Sequence, residues 1–166
     1  MILGLSTSTF TLLHVLISLA GIASGLVVLL GMLQDKRLDG WTGFFLATTA
    51  LTSVTGFAFP FDHLLPSHKI GILSLVILAI AIAARYLFRL AGSWRWVYVA
   101  SATLALYFNV FVLVVQSFMK IPALKAMAPT QAEPPFVVAQ GMVFLLFLSM
   151  GIMATRRFRL EPVRAV

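Results

Sequence analysis

Residues 8–33 read STFTLLHVLISLAGIASGLVVLLGML, with no Asp, Glu, Lys or Arg in the run. A bilayer core about 30 Å thick asks for roughly 20 consecutive apolar residues in one helix, and this stretch meets that length. Its polar residues are ordered. Thr7, Thr11, His14, Ser18, Gly21 and Gly25 recur at alternating steps of four and three, which puts them on one helical stripe. The stretch therefore reads as a transmembrane helix with a small, polar seam on a leucine-rich surface. It lacks the basic head of a secretory signal, and its apolar run exceeds the usual roughly 7–15 residues. It is expected to remain in the mature chain.

Four further hydrophobic stretches follow, at about residues 41–59, 70–90, 94–118 and 136–155. Of the 166 residues 61% are hydrophobic and only 10% charged, and the mean hydropathy is +1.04. Soluble domains carry about 25% charged residues, and disordered chains are more polar still, so both classes are excluded. The expected fold is all-α: one integral membrane bundle of five transmembrane helices. Arg85 and Arg89, a turn apart near the end of the third stretch, are expected to snorkel to the interface. With no cysteine there is no disulfide, thiolate metal site or thiol redox chemistry.

Loop charge orients the bundle. In a five-span arrangement nine basic residues (Lys36, Arg37, Arg85, Arg89, Arg95, Arg156, Arg157, Arg159 and Arg164) fall on one side, and Lys69, Lys120 and Lys125 on the other. Basic residues in short loops stay inside. The N-terminus is thus expected outside and the C-terminus inside, with residues 156–166 a basic cytoplasmic tail. Trp41, Trp94 and Trp96 then share the inner interface, where indoles are favoured. The net charge of +7 is read as these loops touching membrane lipids, not as a nucleic-acid footprint. The outer loop 119–135 can form a short interfacial helix opening at Pro122, a candidate lid.

Polar groups inside lipid need partners, so their depth is informative. His14, Gln116 and Gln140 lie at a similar level in the outer half, with Asn109 deeper. Asp62, His63 and His68 sit at the mouth, and span two supplies Thr48, Thr49, Thr52, Ser53 and Thr55. The inner half is otherwise bland. One reading is an outward-facing pocket for a small molecule, in a binding or transport-type protein. The competing reading is a packing seam, in which Ser18, Gly21 and Gly25 admit a close helix and His14 bonds a neighbouring hydroxyl or carbonyl.

Chemistry narrows this little. Asp62, His63 and His68, with His14, are metal-ligand types, but D-H-x4-H is not an established zinc spacing. His14 paired with His63 or His68 could ligate a haem, which keeps a haem- or quinone-binding redox protein open as an alternative. A third alternative is a non-catalytic subunit packing through Gly21 and Gly25 against a second copy or a partner. Hydrolase and nucleotide motifs are lacking. No acidic residue lies within a span to serve a carboxylate proton relay, so whether the chain is an enzyme stays undecided.

The run from Leu51 through Thr55, Pro60, Asp62, His63 and Pro66 to His68 resembles a segment of small, uncharacterised bacterial inner-membrane proteins. So does the stretch from Asn109 through Gln116, Lys120, Pro122 and Leu124 to Ala128-Pro-Thr130 and Glu133-Pro-Pro135. Together these segments cover about a quarter of the chain. The resemblance implies a multi-pass protein of the bacterial cytoplasmic membrane and supplies no activity.

Overall fold

The computed structural model describes residues 1–2, 4–59 and 66–159, the side chains of 66–68 excepted. Helix α1 spans Thr7–Leu33 and α2 Asp39–Gly56; α3, Pro66–Ile82, runs directly into a π turn at Ala83–Leu87. Helix α4 spans Trp94–Lys120, the short α5 Pro122–Met127 and α6 Pro134–Arg157. Local chemistry sets several of these ends. The Ser6 hydroxyl accepts from the Thr9 amide at 3.1 Å and caps α1. Pro122 opens α5 and Pro134 opens α6, where the missing N–H costs nothing.

Among the described residues four helices are long and apolar enough to cross a bilayer: Thr7–Leu33, Lys69–Leu87, Trp94–Lys120 and Pro134–Arg157. The chain is an all-α, multi-pass membrane protein. The second hydrophobic stretch does form a helix, but it falls short of the other four in apolar character. It opens on Asp39 and carries Thr42, Thr48, Thr49, Thr52, Ser53 and Thr55. Most of these hydroxyls are cheap in an apolar setting because they bond back to the preceding turn. Thr48 donates to Phe44 O at 2.7 Å, Thr52 to Thr48 O at 2.9 Å and Thr55 to Leu51 O at 2.7 Å.

Neighbouring helices run antiparallel. Along α1 and α2 the facing residues are His14 and Thr55, Gly21 and Thr48, Gly25 and Phe45, then Gly31 and Leu38. Helix α2 also faces α3 and its π turn antiparallel, through Phe57 and Gly71, Gly43 and Tyr86, Asp39 and Arg85. Helices α4 and α6 pair from Tyr98 with Phe158, through Thr103 with Gly151 and Tyr107 with Phe147, to Phe118 with Phe136.

In lipid the apolar effect does not drive helices together, so close fit and polar bonds must. Gly25 supplies the closest fit: a Cβ there would lie 2.6 Å from Leu106 Cδ1 and 2.7 Å from Phe45 Cε2. Three helices meet at that glycine. Fully buried Ala102 and Ala105 on α4 and Ala81 on α3 play the same part. Gly21 and Gly25 are thus occupied within this bundle and are not free to meet a partner, contrary to the subunit reading of their motif.

Candidate functional site

Helix α1 carries His14 two turns in from its N-terminus, half-buried, with its ring against Phe59 edge-on at 5.3 Å. Phe59 in turn meets Phe10 at 5.1 Å. Nδ1 of His14 lies 2.8 Å from Thr55 Oγ1. The one proton of the Thr55 hydroxyl has the Leu51 carbonyl within reach at 2.7 Å; when it goes there, His14 Nδ1 donates to Thr55 and Nε2 of the neutral ring is the acceptor. Nε2 has no partner among the described residues.

Two turns deeper, α1 presents Gly21, and the space its missing side chain leaves is taken by polar groups. Thr48 Oγ1, Thr49 Oγ1 and Asn109 Nδ2 lie 3.3, 3.4 and 3.6 Å from where a Cβ would sit. Asn109 is buried and donates to Thr49 Oγ1 at 3.2 Å. Ser18, between these levels, bonds back to the His14 carbonyl at 2.7 Å. On the other side of α4, Gln140 of α6 donates from Nε2 to the Phe111 carbonyl at 3.2 Å. Its buried Oε1 has no partner among the described residues.

The polar residues expected at one pocket therefore divide. His14, Asn109 and Gln140 each hold a different helix pair and do not bond one another. Gln116 is exposed. Asp62 and His63 lie outside the described residues, as does the side chain of His68, so the mouth expected from them is not described. Among the described residues no three His, Asp or Glu side chains group as a metal set. The loop helix α5 lies where it was expected. A hollow of about 330 Å³ beside it is lined by Phe118, Met119, Lys125, Pro129, Thr130 and Gln131.

The opposite end of the bundle is not bland. Arg85, expected to reach the head groups, is 4% exposed. The π turn aims it inward, where its guanidinium pairs with Asp39 at the start of α2. It also lies 5.2 Å from the centre of the Tyr98 ring and 5.7 Å from that of Tyr86. Asp39 also bonds Arg37 at 2.8 Å, and Tyr98 donates to Thr42 Oγ1 at 3.4 Å. Arg85 Nε is buried without a partner among the described residues.

A buried cation in a spanning helix needs such company, and π turns concentrate at special sites. The sequence held the signal. Ser74, Leu78, Ala81 and Arg85 repeat at steps of four, three and four on one face of α3, and all four are buried. Exposed Arg89 and buried Leu90 end the π turn with positive φ, 49° and 60°. That local cost of roughly 1–2 kcal/mol per residue is offset by burying Leu90. Compared with known proteins, the chain matches no family model, no curated protein and no solved structure, so its function has to be argued from these side chains.

Proposed function

We propose that the chain is a small-molecule-binding or transport-type protein of the bacterial cytoplasmic membrane, its site at the outer end of the bundle around His14. In this reading it has five spans, with the N-terminus outside and the C-terminus inside. The parallel course of α1 and α3 supports the fifth. A chain that leaves α1 on one face can enter α3 in the same direction only if α2 carries it back across. The 18 residues of α2 reach about 27 Å at 1.5 Å each, close to the apolar thickness of a bilayer.

The observation that carries the site is the contact of His14 Nδ1 with Thr55 Oγ1 at 2.8 Å. It holds one ring nitrogen and leaves the other without a partner among the described residues, in a half-buried, phenylalanine-lined position. Asn109 and Gln140 brace the helices behind it. Diethylpyrocarbonate, which acylates an imidazole nitrogen, tests the reading. In a His63→Gln/His68→Gln background it should modify His14 in the folded protein. A His14 that reacts only after unfolding overturns the site.

A second reading, a subunit of a larger membrane assembly, draws on α6. Only 11% of the most apolar 18 residues of α6 are buried, against 44% for α1. A partner or a second copy would cover that face. The mass of the detergent-solubilised protein separates the two, because a monomer with no companion removes the subunit reading.

A further inference from the structure

Where α4 begins and α6 ends, Arg95, Trp96, Thr155, Arg156 and Arg159 line a cleft of about 400 Å³. Ligand sites run from roughly 300 Å³ upward, so the cleft can hold a small head group. The three guanidinium groups have no carboxylate partner among the described residues; the ion pairs there are Arg37 and Arg85 with Asp39. Arg159 Nε donates to the Arg156 carbonyl at 3.4 Å, the Thr155 hydroxyl to the Ile152 carbonyl at 2.8 Å, and the Arg159 backbone amide to the Asp35 carboxylate at 2.7 Å. Against that one carboxylate, which is engaged with a backbone amide, the three cations are in excess; a phosphate lowers their mutual repulsion while taking bidentate bonds from arginine.

We infer that this cleft binds the phosphate head group of an anionic phospholipid. Its place favours lipid over free phosphate. It opens at the ends of two spanning helices, which is head-group level, and exposed Trp96 belongs at that interface. Below the cleft, on the α6 face that carries Thr155 and Arg159, Leu148 and Ile152 are about half exposed. They offer an acyl chain an apolar track continuous with the cationic head site. Basic pockets between transmembrane helices take anionic lipid in this way. The inference is independent of the His14 site and rests on α4 and α6 crossing the membrane.

The test is native mass spectrometry of the full-length protein with added phosphatidylglycerol, phosphatidylcholine or inorganic phosphate. The wild type is expected to retain one phosphatidylglycerol and neither of the others. Arg95→Gln/Arg156→Gln should weaken retention by about tenfold or more, as one or two charge-assisted contacts are lost. Arg157→Gln removes the same charge outside the cleft and should retain lipid like the wild type. Arg156 is exposed, so Arg156→Gln alone serves if the double variant melts early, with a smaller loss in the same direction. Equal losses in the Arg156 and Arg157 variants would reduce the effect to general charge. Unchanged retention in the Arg156 variant, or retention of phosphate in place of lipid, overturns the lipid site.

Discussion

At His14 the deciding atom is a hydroxyl oxygen on a neighbouring helix. Because Thr55 Oγ1 is the partner of His14 Nδ1 at 2.8 Å, replacing Thr55 with Val leaves that ring nitrogen without its hydrogen bond. Bonds of this kind in a membrane average ~0.6 kcal/mol and reach ~1.7. Thr55→Val and Asn109→Ala should therefore each lower stability by about that much in a detergent unfolding titration. Losses of several kcal/mol would mean that these pairs brace far more than one helix contact. The Arg85 pair should be costlier. Asp39→Asn leaves the buried Arg85 cation without its counter-charge, a loss of about 3–5 kcal/mol. Arg85→Ala should cost less on the charge account, since water reaches the 65% exposed Asp39 side chain it leaves behind. If the order is reversed, the packing of Arg85 on its rings, and not its charge pairing, organises that end. The stripe from Ser74 to Arg85 was legible, but its direction was not. When lipid and protein interior are equally apolar, hydropathy cannot tell the inner face of a helix from the outer. Gln116 failed for a related reason. Over the last turns of α4 the covering helices are α5 and α6, so Phe118, packed on Phe136 at 5.3 Å, takes the buried position.

Among the elements, α1 and α2 form the tightest pair. Gly25→Val would force methyls into Phe45 and Leu106, and overpacking of this sort costs typically ~1–3 kcal/mol. Gly141→Ala on the open face of α6, where no atom lies within 4 Å, should be neutral or slightly stabilising. Equal melting of the two variants would mean that the three helices do not meet at Gly25. The turn into α6 offers a pH test. What desolvation Glu133 feels pushes its carboxyl up, but the Thr130 hydroxyl and the amides of Glu133, Thr130 and Ala132 donate to it and hold it below its ordinary 4.5. A lowered carboxylate contributes stability above its unfolded value and loses it as pH falls through the folded one. The turn should therefore stay intact until pH falls below 4.5. An NMR titration of Glu133 showing a midpoint at or above that value would contradict the hydrogen-bonded turn. The helix at Pro122 was legible because proline marks a first helical turn. The π turn was not, since no residue type in Ala83–Leu87 marks the one-residue widening of a helix.

For the whole molecule, the number of crossings is the open quantity, and the absence of cysteine makes it measurable. With five spans, Lys36→Cys in the first turn and Ser93→Cys before α4 label from the same side with an impermeant maleimide, and Ala132→Cys labels from the other. With four, Lys36→Cys and Ser93→Cys label from opposite sides. Four of the five hydrophobic stretches were legible because length and composition suffice for them. Helix α2 is equivocal by the same measure because its hydroxyl bonds, which make it tolerable in lipid, are invisible to hydropathy.

The chain closes on itself at one end: the backbone amide of Arg159 donates to Asp35 in the first turn at 2.7 Å, and Phe158 fills a buried place against Tyr98. The first contact ties the end of α6 to the α1–α2 turn and the second ties it to α4, so both form only after α6 has been made. Until then that end of the α1–α2 pair stays uncovered, and a chain cut short before α6 leaves its slot empty.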